Sequence, residues 1–322
     1  MAKKQSKPKK KSAPRAKSTK KKAPPQNRQP TLLFVILILL VGVVAGSGLF
    51  LLKSRLIHKA PVPVKPATIE KFSRPDFEIY PARVIPKKPL AAPALAPGKR
   101  PMVAIIIDDM GYEQKLCEKF IRLAAPITCS ILPGSPHRLE IAQYAHKKGK
   151  CVMLHLPMEP VQYPAVNPGP GALLSSMGPD TLIRILKQDI NSVPYISGVN
   201  NHMGSRLTAD SDKMNQVLSI LKTRRLFFID SRTTAKTVAR SSARLFALPF
   251  AERDVFLDNN PSEKKIRKQI KKLILIAEKT GVAIGIGHPH ESTCKAIAAM
   301  IPEMEKRVRL VPASRLVSIP PL

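Results

Sequence analysis

Six residues able to do metal or acid–base chemistry stand at the ends of apolar runs: Asp108, Asp109, His155, His202, His288 and His290. Neutral imidazole nitrogens and a carboxylate oxygen suit zinc or a similar divalent ion, with positions left for water and substrate. A second carboxylate can act as base on a bound water whose pKa the metal lowers. Each residue alone has a plainer reading. Adjacent aspartates can cap a following helix, and a single strand-end histidine is more often a hydrogen-bonded structural residue than a ligand. Gathered at the ends of separate runs, the six argue for one shared site. Other polar residues close the same runs: Glu159 after His155, then Asn201 and Arg206, Asp230 and Ser231, and Asp258 with Asn259 and Asn260. His137 and His146 fall on a predicted surface helix and His58 in a proline-rich stretch, so none of these receives a role.

Such residues meet only if the chain brings the run ends to one rim. From residue 101 onward, apolar runs of strand length alternate with helix-length segments. The spacing predicts strands over 103–109, 128–132, 151–156, 197–202, 226–231, 254–258, 282–287 and 309–313. The runs VAIIID, CVMLHL and VAIGIG are almost continuously apolar, as parallel strands buried on both faces are. Helices are predicted over about 180–193, 210–224 and 261–281. In the last, Ile266, Ile270, Ile274 and Ala277 recur at helical spacing, and Gly281 supplies a stop. Seven or eight β–α units in series imply a (β/α) barrel or a doubly wound sheet. We expect a deformed (β/α) barrel of about seven parallel strands, in which active residues gather beyond the C-terminal strand ends.

Four segments follow from composition. Residues 1–30 hold 12 basic residues and no acid, with almost nothing to bury, and read as a disordered tail. Residues 31–52 carry no charge over 22 residues, and a membrane-spanning helix needs about 20. Basic residues crowd before this stretch, so the positive-inside rule puts residues 1–30 in the cytoplasm and the rest outside the inner membrane. Residues 53–100 contain nine prolines between Pro61 and Pro97 and read as a semi-rigid spacer. Residues 101–322 form the barrel domain. The tail then sets topology and touches anionic lipid head groups. A nucleic-acid-binding tail is the rival reading, but no nucleic-acid partner is expected. The chain has no Trp and few aromatics, which gives poor stacking platforms for single strands. Cys117, Cys129, Cys151 and Cys294 form no C-x-x-C pair, which argues against a cysteine zinc site and for small buried hydrophobes.

The segments IIIDDMG, HLPMEP, GVNNHMGSRLT, FFIDSRT and GIGHPH, in this order over about residues 100–318, resemble the divergent polysaccharide deacetylase family, a remote branch of the NodB-type carbohydrate esterases. The resemblance implies a deformed barrel and metal-dependent removal of acetyl groups from N-acetylated sugars, with a glycan as partner and zinc the expected metal. It implies Asp108 as general base, Asp109 and His155 as metal ligands, and His288 with His290 as the motif of the general acid. Where the superfamily has a second histidine four residues on, this chain has Glu159. His202 on the next strand is the expected replacement ligand, with Glu159 as substitute. The superfamily's Arg-rich third motif and the Trp of its fourth are not recognisable; Arg206 and Asp230-Ser231 stand in those regions. Asn201, Arg206, Asp230 and Ser231 are the expected substrate-binding residues. A membrane-anchored esterase acting on envelope glycans is the leading reading. A catalytically degenerate glycan-binding or scaffold protein is the alternative.

Overall fold

The computed structural model describes residues 100–321. The expected tail, membrane span and spacer, and with them the topology, lie outside the described residues. Among the described residues no helix is long and apolar enough to cross a membrane.

Nine strands and seven α-helices follow one another along these residues. The strands are β1 Met102–Met110, β2 Thr128–Ile131, β3 Cys151–Met158, β4 Ile196–Met203, β5 Phe227–Asp230, β6 Phe250–Glu252, β7 Val255–Phe256, β8 Val282–Gly287 and β9 Arg309–Leu310. The helices are α1 Gln114–Ile121, α2 Arg138–Lys147, α3 Pro179–Ser192, α4 Ser211–Thr223, α5 Ala239–Leu245, α6 Glu263–Thr280 and α7 Glu291–Arg307. The sheet runs β6-β5-β4-β3-β2-β1-β8-β7, and every ladder is parallel. β9 takes the start of β1 on the edge that β2 occupies further on. The expected strand over 254–258 is two residues long, and β6, which the hydrophobic pattern did not announce, precedes it.

This sheet is curled. Its outer strands, β6 and β7, are joined by only Arg253 and Asp254, and three Cα–Cα steps span at most about 11 Å. Asp254 exchanges hydrogen bonds with Ile284 of β8: its backbone N–H donates to the Ile284 carbonyl (2.8 Å), and its carboxylate accepts from the Ile284 N–H (2.9 Å). Arg253 reaches the other way, donating to the carbonyls of Ser231 (2.7 Å) and Arg232 (3.0 Å) beyond β5. The result is a curled parallel half-barrel of the (β/α) kind.

Strand side chains alternate between two faces, and the sequence fills each face differently. Val103, Ile105, Ile107, Leu154, Leu156, Val199 and Phe228 face the helices, which contribute Phe120, Leu186, Ile270, Ile274 and Ile297 to one large core. Ala104, Ile106, Met153, Phe227, Ile229, Ile284 and Ile286 form a second, smaller cluster inside the curl, to which no α-helix contributes. Three cysteines are buried and Cys151 is half-buried, and all four are free. Local signals end the elements: Asp210 caps α4 by accepting from the Asp212 and Lys213 N–H groups, and Gly281 closes α6 in the left-handed conformation.

The inner plug leaves no room at Gly198 of β4, where a Cβ would meet the Phe227 ring at 2.2 Å. Gly198→Ala is expected to cost roughly 1–3 kcal/mol of stability, as overpacking does, read from urea unfolding. An unchanged midpoint would show that β4 and the Phe227 ring are not this close.

Candidate metal centre

Counting in twos along the inner face leads from the apolar plug to the polar rim. Ala104 and Ile106 lead to Asp108, Met153 leads to His155, and Gly198 leads to Asn200 and His202. Phe227 and Ile229 lead to Ser231, and Ile284 and Ile286 to His288. Asp109 belongs to the opposite parity and reaches the site by another device. Between Ile107 and Met110 β1 takes three steps while β2 takes two, from Cys129 to Ile131. This bulge, with Asp109 at φ 54°, turns a second carboxylate inward, in a conformation aspartate tolerates better than most residues.

Three atoms converge. The His155 Nε2 lies 3.2 Å and the His202 Nδ1 3.0 Å from the Asp109 Oδ1, and the two ring nitrogens are 3.2 Å apart. All three side chains are buried. The Asp109 Oδ1 has no partner in hydrogen-bonding geometry, and neither does the His202 Nε2. Positive charge is called for at this spot. The two imidazoles overcome the effect of burial and hold the Asp109 carboxyl well below its usual range. Burial opposes a charge on His155, yet Asp108 and Asp109 raise its pKa. Donor atoms sharing one zinc at about 2.0–2.1 Å in a tetrahedral site sit roughly 3.3–3.4 Å apart. The spacing, the nitrogen and oxygen donors and the orphaned carboxylate oxygen fit a divalent ion.

Asp108 stands beside this triangle, its Oδ2 3.7 Å from the His155 Nε2. Burial pushes its pKa up, against the pull of His155 and His288. Beneath lies Asn200, fully buried. Its Nδ2 donates to the Asp108 Oδ1 (2.8 Å) and to the Ser231 Oγ (3.3 Å). Its Oδ1 accepts from the Ser130 Oγ (2.5 Å) and faces the His155 Nδ1 (3.0 Å).

On the far wall, the Asp258 Oδ1 is 2.8 Å from the His288 Nδ1, and its Oδ2 accepts from the His288 N–H (2.6 Å) and the Thr293 hydroxyl (2.8 Å). Burial works against a charged His288, but the Asp258 carboxylate overrides it and lifts the pKa to about 9. Phe256 stacks on the same ring at 6.0 Å, with the Arg253 guanidinium 3.7 Å from the Phe256 ring centroid. Phe256 also lines the cleft.

A cleft of about 170 Å³ brings together Asp108, Asp109, His155, Asn201, His202, Ser231, Asp258, His288 and His290. Three residues named from the sequence lie apart from this cluster. Glu159 is not brought to the metal centre. It lies past the end of β3, where its carboxylate accepts from the Ser175 N–H (2.5 Å) and pairs with the Arg206 Nε (3.4 Å), anchoring the following loop. Arg206 is half exposed and bound to Glu159 and the Val161 carbonyl, outside the cleft lining. Asp230 has the wrong parity: it accepts from the Arg232 N–H and the Thr237 hydroxyl on the helix side, where burial raises its pKa. Asn201 lines the cleft, but its amide is spent on the Ser231 N–H and the Met203 carbonyl. Asn200 and Asp258 received no role from the sequence. The signal for Asn200 was its parity with His202; for Asp258 it was a carboxylate closing an apolar run.

The fold is that of the deacetylase-like carbohydrate esterases. The chain belongs to the divergent polysaccharide deacetylase family, whose sequence profile matches residues 105–317. It is 36% identical over 231 residues to the protein YibQ of Escherichia coli (strain K12), covering 72% of this chain and 70% of that one. A protein of Haemophilus influenzae is 34% identical over 209 residues, covering 65% and 74%. The crystal structure of ATU2773 from Agrobacterium tumefaciens C58 superposes with a TM-score of 0.66 at 28% identity, covering 70% of this chain and 93% of that one.

The Asp258–His288 pair has a pH signature in the metal-free protein. A histidine whose pKa is raised from 6.5 to about 9 on folding contributes stability that is complete below pH 6.5 and is lost as pH rises through 9. Asp258→Asn is expected to drop the His288 pKa by more than about one unit, as loss of a paired charge does, and to remove that slope. Histidine NMR titration and urea unfolding across this range provide the check. A wild-type His288 titrating at the ordinary value would sink the assignment.

Proposed function

We propose that this chain is a metal-dependent hydrolase that removes acetyl groups from N-acetylated sugars of an envelope glycan. We infer further that residues 31–52 hold it in the inner membrane, with the basic tail against anionic lipid head groups and the domain on the outer side. The observation that carries the catalytic reading is the buried triangle of Asp109, His155 and His202, flanked by a separate carboxylate and by a carboxylate-backed histidine. The anchor rests on the uncharged 22-residue stretch and the basic residues before it.

Asp109, His155 and His202 would hold the ion, and when bound it supplies Lewis acidity toward a carbonyl and an acidified water. The chain's own groups supply the rest. Asp108, beside the triangle and outside it, accepts the proton of the attacking water. A raised pKa brings this base nearer to neutrality, where general bases work best. His288 is held at Nδ1 by Asp258, so the proton it delivers to the departing amine is the one on Nε2. The cleft of about 170 Å³ is smaller than the roughly 300–1,000 Å³ of pockets that bury a whole drug-sized ligand. That is room for an acetamido group and part of its ring, so a longer glycan would lie across the mouth.

The test joins metal analysis to turnover on the full-length chain. Near-stoichiometric zinc or another transition metal is expected, lost in both Asp109→Ala and His202→Ala. Acetate release from N-acetylglucosamine oligomers is expected to fall on the order of 10²–10⁴-fold in Asp108→Asn, as loss of a general base does. No bound metal after reconstitution, with both variants unchanged, would end the hydrolase reading. Sugar binding without turnover that survives Asp108→Asn would make the protein a glycan-binding one.

A further inference from the structure

We propose that Asn200 is a positioning residue that locks the proposed base and one proposed metal ligand into register through a single amide. This rests on the metal-dependent reading above.

The argument starts from what an amide can do. Its oxygen accepts two hydrogen bonds and its nitrogen donates two. At Asn200 all four positions are used, to Asp108, Ser231, Ser130 and His155. As a base Asp108 is ionised before it takes its proton, and its Oδ1 then accepts from Asn200, so the amide nitrogen faces Asp108. Its oxygen must then face His155, and the His155 Nδ1 must carry a proton. That leaves Nε2 as the ring atom pointing at Asp109 and the His202 Nδ1. Fixing the far nitrogen of a ligand histidine by a second hydrogen bond is what orients such rings at metal sites. The same amide holds one oxygen of Asp108 and leaves Oδ2 toward the triangle.

Asn200 can be central because of its strand. β4 lies between β3 and β5, and His155 is its register partner. From this inner position it reaches side chains of β1, β2 and β3 and the residue after β5. Ser130 of β2 is fully buried, and the hydroxyl it turns to Asn200 fixes the amide from below. A core asparagine that merely tied strands together would have no reason to end on the proposed base and the proposed ligand at once.

Two substitutions separate the halves of this role. Asn200→Ala removes both. Asn200→Asp keeps an acceptor for the His155 Nδ1–H and loses the donor to Asp108. In the full-length chain labelled with ¹⁵N-histidine, the His155 Nδ1–H is expected to give an exchange-protected NMR signal with or without metal. That signal should vanish in Asn200→Ala and persist in Asn200→Asp. Zinc affinity, measured by chelator competition, should fall about 10–100-fold in Asn200→Ala and recover in Asn200→Asp. Acetate release should stay low in both. Circular dichroism checks that each variant is folded. A signal that persists in Asn200→Ala, or an Asn200→Asp variant that binds zinc no better than Asn200→Ala, overturns the proposal. A wild-type chain that binds no zinc overturns the metal reading instead, and the NMR comparison still decides the place of Asn200.

Discussion

One carboxylate oxygen and two ring nitrogens held within 3.2 Å of one another in a buried site are the constraint to which the rest of the domain answers. Lone pairs at such a distance repel, and burial strengthens the repulsion because no water screens it. A ring proton between the two nitrogens, which lie in hydrogen-bonding geometry, or a cation among the three atoms relieves that repulsion. Against burial, Asp108 and Asp109 favour positive charge on His155, and His202 with His155 holds the Asp109 carboxyl low. A divalent ion would supply more positive charge and would also engage the carboxylate oxygen that lacks a hydrogen-bond partner.

Holding the three atoms there is the work of a parallel sheet. In a parallel sheet all strands end on the same rim, and in a curled one their inner faces converge. Each strand then needs only one correct residue, two places beyond its last inner apolar side chain. Under the rim, Ile106, Met153, Phe227, Ile229, Ile284 and Ile286 exclude water from below. The curl itself depends on Arg253 and Asp254, adjacent residues that grip opposite edges of the sheet. Arg253 also lies over Phe256, and Phe256 stacks on His288. The seam that shapes the sheet thus also sets the ring on the far wall.

The parts of this design that obey a period of two were legible in the sequence. Asp108, His155, His202 and His288 end apolar runs at the inward parity, and the structure gathers all four into one cleft. Asp109 was legible as chemistry but not as geometry, because the bulge that turns it inward has no composition signal beyond the aspartate pair. Glu159, Arg206 and Asp230 lie apart from the cluster for physical reasons. Proximity in sequence to a strand end says nothing about which face a residue takes once the strand has stopped. A loop closed by Glu159 onto the Ser175 N–H carries its carboxylate away from the rim. Asn200 and Asn201 differ only in parity, and the inner one ties four neighbours together. β6 escaped because a three-residue strand is too short to show a pattern. The likeness of the motifs to the family, and the family's profile over residues 105–317, agree with the fold that these parities build.

The two adjacent aspartates show how environment separates the acidity of identical side chains. Asp109 touches two imidazoles, and burial is outweighed by their charge, so its carboxyl stays ionised far below its ordinary range. Asp108 sits 3.7 Å from the nearer ring and takes its close contact from a neutral amide. Burial therefore dominates, and its pKa rises. A ligand must remain charged at every working pH, whereas a base must be able to take a proton and return it. Titratable neighbours pushed in opposite directions are the mark of separate acid–base roles. The bulge in β1 creates this asymmetry. Without the extra residue the two carboxylates would point to opposite faces of the sheet; with it, both face inward and only one touches the rings.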